Sequence, residues 1–139
     1  MPVVKTYAEL KVGDKASLTK TITPQVVQAF AEVSEDFNPL HLSEEYAKTT
    51  RFGRPIAHGM ISAGLMSAIG GTKLPGEAIY ISHNMQFKRP IFVGETVTAW
   101  VEIIDKMDDE KKLIKARAWV ENQDGKLVVD GEAVYMASV

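Results

Sequence analysis

The spacing of apolar and polar positions changes period once along this chain, near Pro75. Ahead of that point Val26, Val27, Phe30 and Val33 recur at helical spacing behind Thr23-Pro24. The threonine can cap free N–H groups there, and a proline at the first helical position forfeits no hydrogen bond. This predicts a helix running to about Val33 or Ser34. Ser43 followed by Glu44 and Glu45 marks a second, minor helix that ends before Thr49-Thr50. His58 to Gly71 carries no charge, is apolar or small all round, and closes on two glycines fit for a C-cap. It predicts a buried central helix.

Beyond Pro75, Ile79, Ile81, Met85 and Phe87 alternate with Tyr80, Ser82, Asn84, Gln86 and Lys88, a half-buried strand with His83 on its apolar face. Three further strands follow. Thr96 to Asp105 aligns Val97, Ala99, Val101 and Ile103; Leu113 to Glu121 aligns Ile114, Ala116, Ala118 and Val120; Leu127 to Met136 is rich in β-branched residues. Asp108-Asp109-Glu110 and Gln123-Asp124-Gly125 stand at hairpin positions between them, so these strands are predicted to be antiparallel neighbours. Lys15 to Ile22 supplies one more, and Val12-Gly13-Asp14 and Val93-Gly94-Glu95 read as turns that launch strands. The expected class is α+β, a curved antiparallel sheet around one uncharged helix.

Composition narrows the function. At 139 residues and 45% hydrophobic, the sequence predicts a single domain over residues 1–139 with a sizeable core. Sixteen Lys and Arg oppose 18 Asp and Glu, with no long run of either sign, which argues against nucleic acid or an anionic membrane as partner. There is no cysteine. That removes disulfides, thiolate metal sites and a Cys nucleophile, and it fits a reducing cytoplasm. The opening MPVVKTYAELKVGDK lacks the make-up of a leader, and no apolar run reaches the roughly 18 residues a membrane span needs, so a cytoplasmic protein is expected. G-x-x-x-x-G-K-[ST], G-x-G-x-x-G after a strand, and G-x-S-x-G are all missing. His41, His58 and His83 do not follow metal-ligand spacing, so no metal is expected.

The remaining candidate chemistry lies in Ser34-Glu35-Asp36-Phe37-Asn38-Pro39-Leu40-His41. Extended, Asp36 and His41 would lie about 17 Å apart, but Asn-Pro is a turn dipeptide that can fold the chain back. Two readings stand side by side. Either Asp36 is a turn residue beside a surface histidine, or carboxylate and imidazole converge on one water as an acid/base pair.

Asp36-Phe37-Asn38-Pro39-Leu40-His41, Arg51-Phe52-Gly53-Arg54-Pro55-Ile56-Ala57-His58-Gly59-Met60 and Phe87-Lys88-Arg89-Pro90-Ile91-Phe92-Val93-Gly94-Glu95 follow one another in order. In this combination the chain closely resembles the MaoC-like (R)-specific enoyl-CoA hydratase family, over nearly its whole length. The resemblance implies the hot-dog fold, in which an antiparallel sheet wraps a long helix, usually in a homodimer. It implies reversible syn hydration of a trans-2-enoyl thioester, carried on coenzyme A or a carrier protein, without metal or organic cofactor.

Residue by residue, the resemblance makes Asp36 and His41 the dyad that activates water. It makes Gly59 the donor of a backbone N–H to the thioester carbonyl. A helix N-terminus suits that task on physical grounds, because hydration develops negative charge on that oxygen. Close packing would explain a glycine there equally. Ser67 matches a serine of the family's pocket, or is a small residue for helix packing. Asn38 could orient the dyad or touch substrate, or simply form the turn. His58 is expected to hydrogen-bond loop backbone beside the helix start, and His83 to be a satisfied core histidine. Lys88 and Arg89 either meet the phosphates of coenzyme A or phosphopantetheine, or are solvated. Met60, Met66 and Met85 are expected in the core, with an acyl channel wall as the alternative. The competing functions are a hot-dog thioesterase, attacking the carbonyl rather than the β-carbon, and a non-catalytic acyl-CoA or acyl-carrier binding module. The second would be expected to carry an added interaction segment.

Overall fold

The computed structural model describes residues 4–137; the first three residues, part of the stretch read for a leader, lie outside that range. Strands β1 (Lys15–Thr21), β2 (Ile79–Phe87), β3 (Thr96–Asp108), β4 (Leu113–Asn122) and β5 (Leu127–Met136) form one antiparallel sheet in the order β1-β3-β4-β5-β2. Period-2 patterning sets its register. Ala99 faces Val120, Val101 faces Ala118 and Ile103 faces Ala116, and all six are at most 1% exposed. A one-residue slip would turn this whole apolar set to solvent.

Helix α4 (Met60–Thr72) lies on that apolar face, chiefly against β3. It buries Ile61, Ser62, Leu65, Met66, Ile69 and Gly70, while Gly64, Ser67 and Ala68 on the other side are exposed. The expected all-round burial is therefore half met within one chain. The paired glycines do not cap the helix either, since it continues through them to Thr72. A Cβ at Gly70 would stand 2.7 Å from the Tyr135 ring, so this glycine lets helix and β5 meet. The free carbonyls of Gly70 and Gly71 are instead closed by the N–H groups of Gly76 and Glu77, at 3.0 and 2.8 Å.

Helix α1 (Pro24–Ser34) begins as its cap residues predict, with Thr23 Oγ1 accepting from the Val26 N–H. Its buried stripe is Val27 and Ala31, whereas Val33 is 86% exposed. The Asn-Pro turn winds into one helical turn, α2 (Pro39–Leu42), with Asn38 as its cap. Ser43 caps the one-turn α3 (Glu44–Ala47). These short pieces connect α1 to the start of α4.

Strand β2 departs from its predicted faces. A bulge between Tyr80 and Ser82 adds one residue, so Tyr80 pairs with Tyr135 and His83 with buried Ala133 on the helix side. Ile79 and Ile81, expected inside, are 56% and 51% exposed. Gly131 on β5 lies so close to β2 that a Cβ there would overlap the Asn84 carbonyl. Gly131→Ala is therefore expected to destabilise the fold by about 3 kcal/mol. Urea unfolding followed by tryptophan fluorescence checks this, and an unchanged midpoint would contradict it.

Candidate active site

Three loop segments meet at the backbone of Pro55 to Ala57. The Ala57 N–H donates to the Ile91 carbonyl at 2.7 Å and the Val93 N–H to the Pro55 carbonyl at 3.1 Å, an isolated bridge of Ile56 with Phe92. On the other side the Ile56 N–H donates to the Leu40 carbonyl at 3.3 Å. The Ile56 carbonyl accepts from His41 Nδ1 at 2.6 Å. The three stretches that carried the resemblance are thus one hydrogen-bonded unit.

That last bond fixes a tautomer. A carbonyl can only accept, so Nδ1 of His41 carries the proton and Nε2 of the neutral ring keeps its lone pair. Burial holds the His41 pKa below the ordinary histidine value, opposed by the bond to Ile56, reinforced by His58 and opposed again by Asp36. His58, 2% exposed, has the opposite tautomer: its Nε2 donates to the Asp36 backbone carbonyl at 2.9 Å. The two imidazoles lie with centroids 4.0 Å apart. A carboxylate oxygen of Asp36 and one nitrogen from each ring fall within 4.8 Å of one another. The turn has folded Asp36 back on His41, with room for a small bridging molecule rather than a direct hydrogen bond.

His41 and Gly59 line the same cavity, about 340 Å³ in volume, together with Ser62 and the exposed Arg51, Lys88 and Arg89. Gly59 is the N-cap of α4 and no side chain caps that end; the Ile61 and Ser62 N–H groups donate to the His58 and Gly59 carbonyls, both at 3.1 Å, which leaves those of Gly59 and Met60 at the helix start. Its φ of −56° is ordinary helical backbone. Glycine suits the space here, because a Cβ would stand 2.9 Å from the Phe87 ring, which would have to shift. Close packing against Phe87 is therefore seen at a helix start that has no side-chain cap.

The MaoC like domain pattern matches residues 8–126. The chain belongs to the MaoC-like domain family. It is 48% identical to the (R)-specific enoyl-CoA hydratase of Aeromonas caviae over 126 residues, covering 90% of this chain and 93% of that one. It is 45% identical to the enzyme of the same name from Rhodospirillum rubrum over 131 residues, covering 94% and 90%. The structure matches that of an R-hydratase from Pseudomonas aeruginosa with a TM-score of 0.90 at 45% identity, covering 94% of this chain and 84% of that one. The fold is the hot-dog fold.

Within this chain, Ser67 does not line the cavity that holds His41 and Gly59. It lines a separate cleft with Tyr80, His83 and Met85. The residue facing the His41 cavity is Ser62, five positions earlier and so about 140° around the helix. Its hydroxyl is buried without a hydrogen-bond partner, whereas the helical hydroxyls of Ser34 and Thr72 bond the carbonyls of Phe30 and Ala68. Sequence reading passed over Ser62, although it lies one turn from Gly59 on the same face. Asn38 is exposed and serves the turn, its Oδ1 accepting from the Leu40 N–H at 3.0 Å.

His83 is not a satisfied core histidine: it is half-buried, its Nδ1 lies 3.1 Å from the Tyr80 hydroxyl, and its Nε2 is buried without a partner. Met66 is in the core, Met85 packs against it, and Met60 is 51% exposed. Lys88 and Arg89 bond Gln86 Oε1 and the Leu127 carbonyl while lining the cavity.

Asp36, His41 and His58 are also, among the described residues, a set close enough to share a cation, a grouping that linear spacing did not reveal. His41 Nδ1 and His58 Nε2 already face backbone carbonyls, and the remaining His58 nitrogen, Nδ1, is buried. The burial of His41 gives a direct expectation. In a histidine NMR titration its midpoint falls below 6.5, and a midpoint at or above that value would contradict the geometry.

Proposed function

We propose that this chain is an (R)-specific enoyl-CoA hydratase, adding water reversibly and syn across trans-2-enoyl-CoA to give (R)-3-hydroxyacyl-CoA. It is a hydro-lyase. The observation that supports this reading most is that the Asp36–His41 pair stands beside the uncapped start of α4, with His41 and Gly59 on one cavity.

In the proposed mechanism a water lies between the Asp36 carboxylate and the His41 imidazole. The dyad takes one proton from it as the oxygen bonds to C3 of the enoyl group. The π electrons move toward C2 and the thioester carbonyl, and the enolate oxygen faces the Gly59 N–H and the positive end of the helix. The dyad then returns a proton to C2, which balances the addition of water. Asp36 and His41 act as a coupled pair. The thioester supplies the α-carbon acidity, so no cofactor is invoked. Phe52, Phe87 and Ile91 give the cavity apolar walls, and Arg51, Lys88 and Arg89 give it cationic groups suited to the phosphates of a thioester carrier.

The assembly is proposed to be a homodimer. Strand β2 is a sheet edge, with Ile79, Ile81 and Phe87 more than half exposed and the uncharged Gly64, Ser67 and Ala68 of α4 on the surface. Unpaired strand edges of this kind invite a second copy. No helix among the described residues is long and apolar enough to cross a membrane, and the lack of cysteine fits a cytoplasmic setting.

With crotonyl-CoA the enoyl-thioester absorbance is expected to fall and chiral analysis to give the (R)-3-hydroxy product without free thiol. Release of thiol would indicate a thioesterase, and binding without turnover a sensor or a carrier-borne substrate. Asp36→Asn and His41→Gln are each expected to lower kcat by about 100-fold or more while the far-UV spectrum is unchanged. Wild-type turnover in both variants would remove the dyad assignment. The dyad is proposed to need neutral His41, so kcat/KM is expected to be retained on lowering pH from 7 and to fall only below the ordinary histidine value, as the lowered pKa is passed. Sedimentation should give twice the 15.3 kDa chain mass, and Ile81→Lys should shift it toward one; a monomeric wild type would overturn the dimer.

A further inference from the structure

We infer that His58 is the positioning residue of this site, holding both members of the dyad at once; the inference rests on the Asp36–His41 reading above. Three contacts carry it. The Asp36 side chain stands on an exposed loop between α1 and α2, entered through Glu35 in the left-handed region at φ 63°. A non-glycine residue in that region needs support from its surroundings. Within the loop the bonds are local, Asp36 N–H to Ser34 Oγ and Asn38 N–H to Asp36 Oδ1, both at 3.2 Å. The bond that ties Asp36 to the buried body is His58 Nε2–H to its carbonyl, at 2.9 Å.

The second contact is with His41. The His58 ring touches Phe30, at a centroid distance of 4.8 Å, and His41, at 4.0 Å and tilted by 36°. A ring only 2% exposed thus backs the His41 imidazole, while the Ile56 carbonyl holds it through Nδ1. The third contact is covalent, since Gly59 is the next residue.

The unpartnered nitrogen separates positioning from plain packing. With Nε2 donating, Nδ1 of neutral His58 is a bare lone pair, buried with no hydrogen-bond partner. An apolar ring of the same shape would fill this site without that unsatisfied atom, so stability alone does not explain an imidazole. The bond to the Asp36 carbonyl does.

Three substitutions test this. His58→Phe keeps the ring and removes the donor. His58→Gln places an amide N–H near the position of Nε2, and His58→Asn carries an amide too short to reach. Expected are a Tm for His58→Phe no lower than wild type by more than a few degrees and a kcat on crotonyl-CoA at least tenfold down. KM should stay within threefold, and His58→Gln should recover most of kcat. Amide resonances of residues 35–38 should broaden in His58→Phe and sharpen again in His58→Gln. Because His58→Gln removes the ring that shields His41, the acid limb of its kcat/KM profile should move to higher pH.

If His58→Phe fails to fold, His58→Asn against His58→Gln makes the same comparison. Wild-type kcat and an ordered loop in the donorless variant would overturn the inference. Equal loss in His58→Gln and His58→Phe would overturn it too, because the donor would then be irrelevant. A wild type inactive on crotonyl-CoA, with the loop still loosened only in the donorless variants, would instead sink the hydratase reading and support the tether.

Discussion

The geometry of the site depends on the main chain of Ile56. Its N–H holds the loop carrying the histidine, its carbonyl holds the imidazole itself, and its neighbours on either side pair with Ile91 and Val93. Each such bond adds only about 1 kcal/mol net, but together they fix three segments in one frame. Because backbone atoms make these bonds, the frame tolerates exchange of the Ile56 side chain far better than any shift in loop length. The acid/base groups come from one segment and the open helix end from another. Their relative position is decided where those segments cross.

The same economy governs protonation. Two imidazoles in contact, with centroids 4.0 Å apart, have opposite tautomers, each selected by a single backbone carbonyl. One ring is left with an open Nε2 in the partly buried cavity, while the other spends its Nε2 on the loop and leaves Nδ1 in the interior. A protein thus gives two identical side chains different tasks without any charged partner bonded to either. Burial then keeps His41 neutral further into the acid range than an exposed histidine.

Much of this architecture is legible in the sequence. The alternations of β3 and β4, the Thr23 and Ser43 caps and the hairpins all encode local geometry directly, and the structure follows them. The parts that were not legible depend on contacts between distant residues. The bulge in β2 reverses the faces of Tyr80 and Ile81, and nothing in a run of apolar residues announces one extra residue. Gly70 looks like a cap until Tyr135 is seen against it. At the site, Asp36 and His41 of the motif come together and His41 and Gly59 share one cavity. The motif could not say that Ser62 rather than Ser67 turns toward His41, because that depends on the rotation of α4 set by its packing on the sheet.

The backbone of Gly59 is unstrained. At φ −56° any residue could adopt the conformation, so the bar to a side chain comes from the Phe87 ring alone. Phe87 belongs to the edge strand, is 53% exposed, and lines the same cavity. The two positions are therefore coupled. A smaller residue at 87 would open volume that an alanine at 59 could fill, trading a wall of the cavity for bulk at the start of the helix. The width of this cavity is in this way linked to how closely anything inside it can approach the first N–H groups of α4.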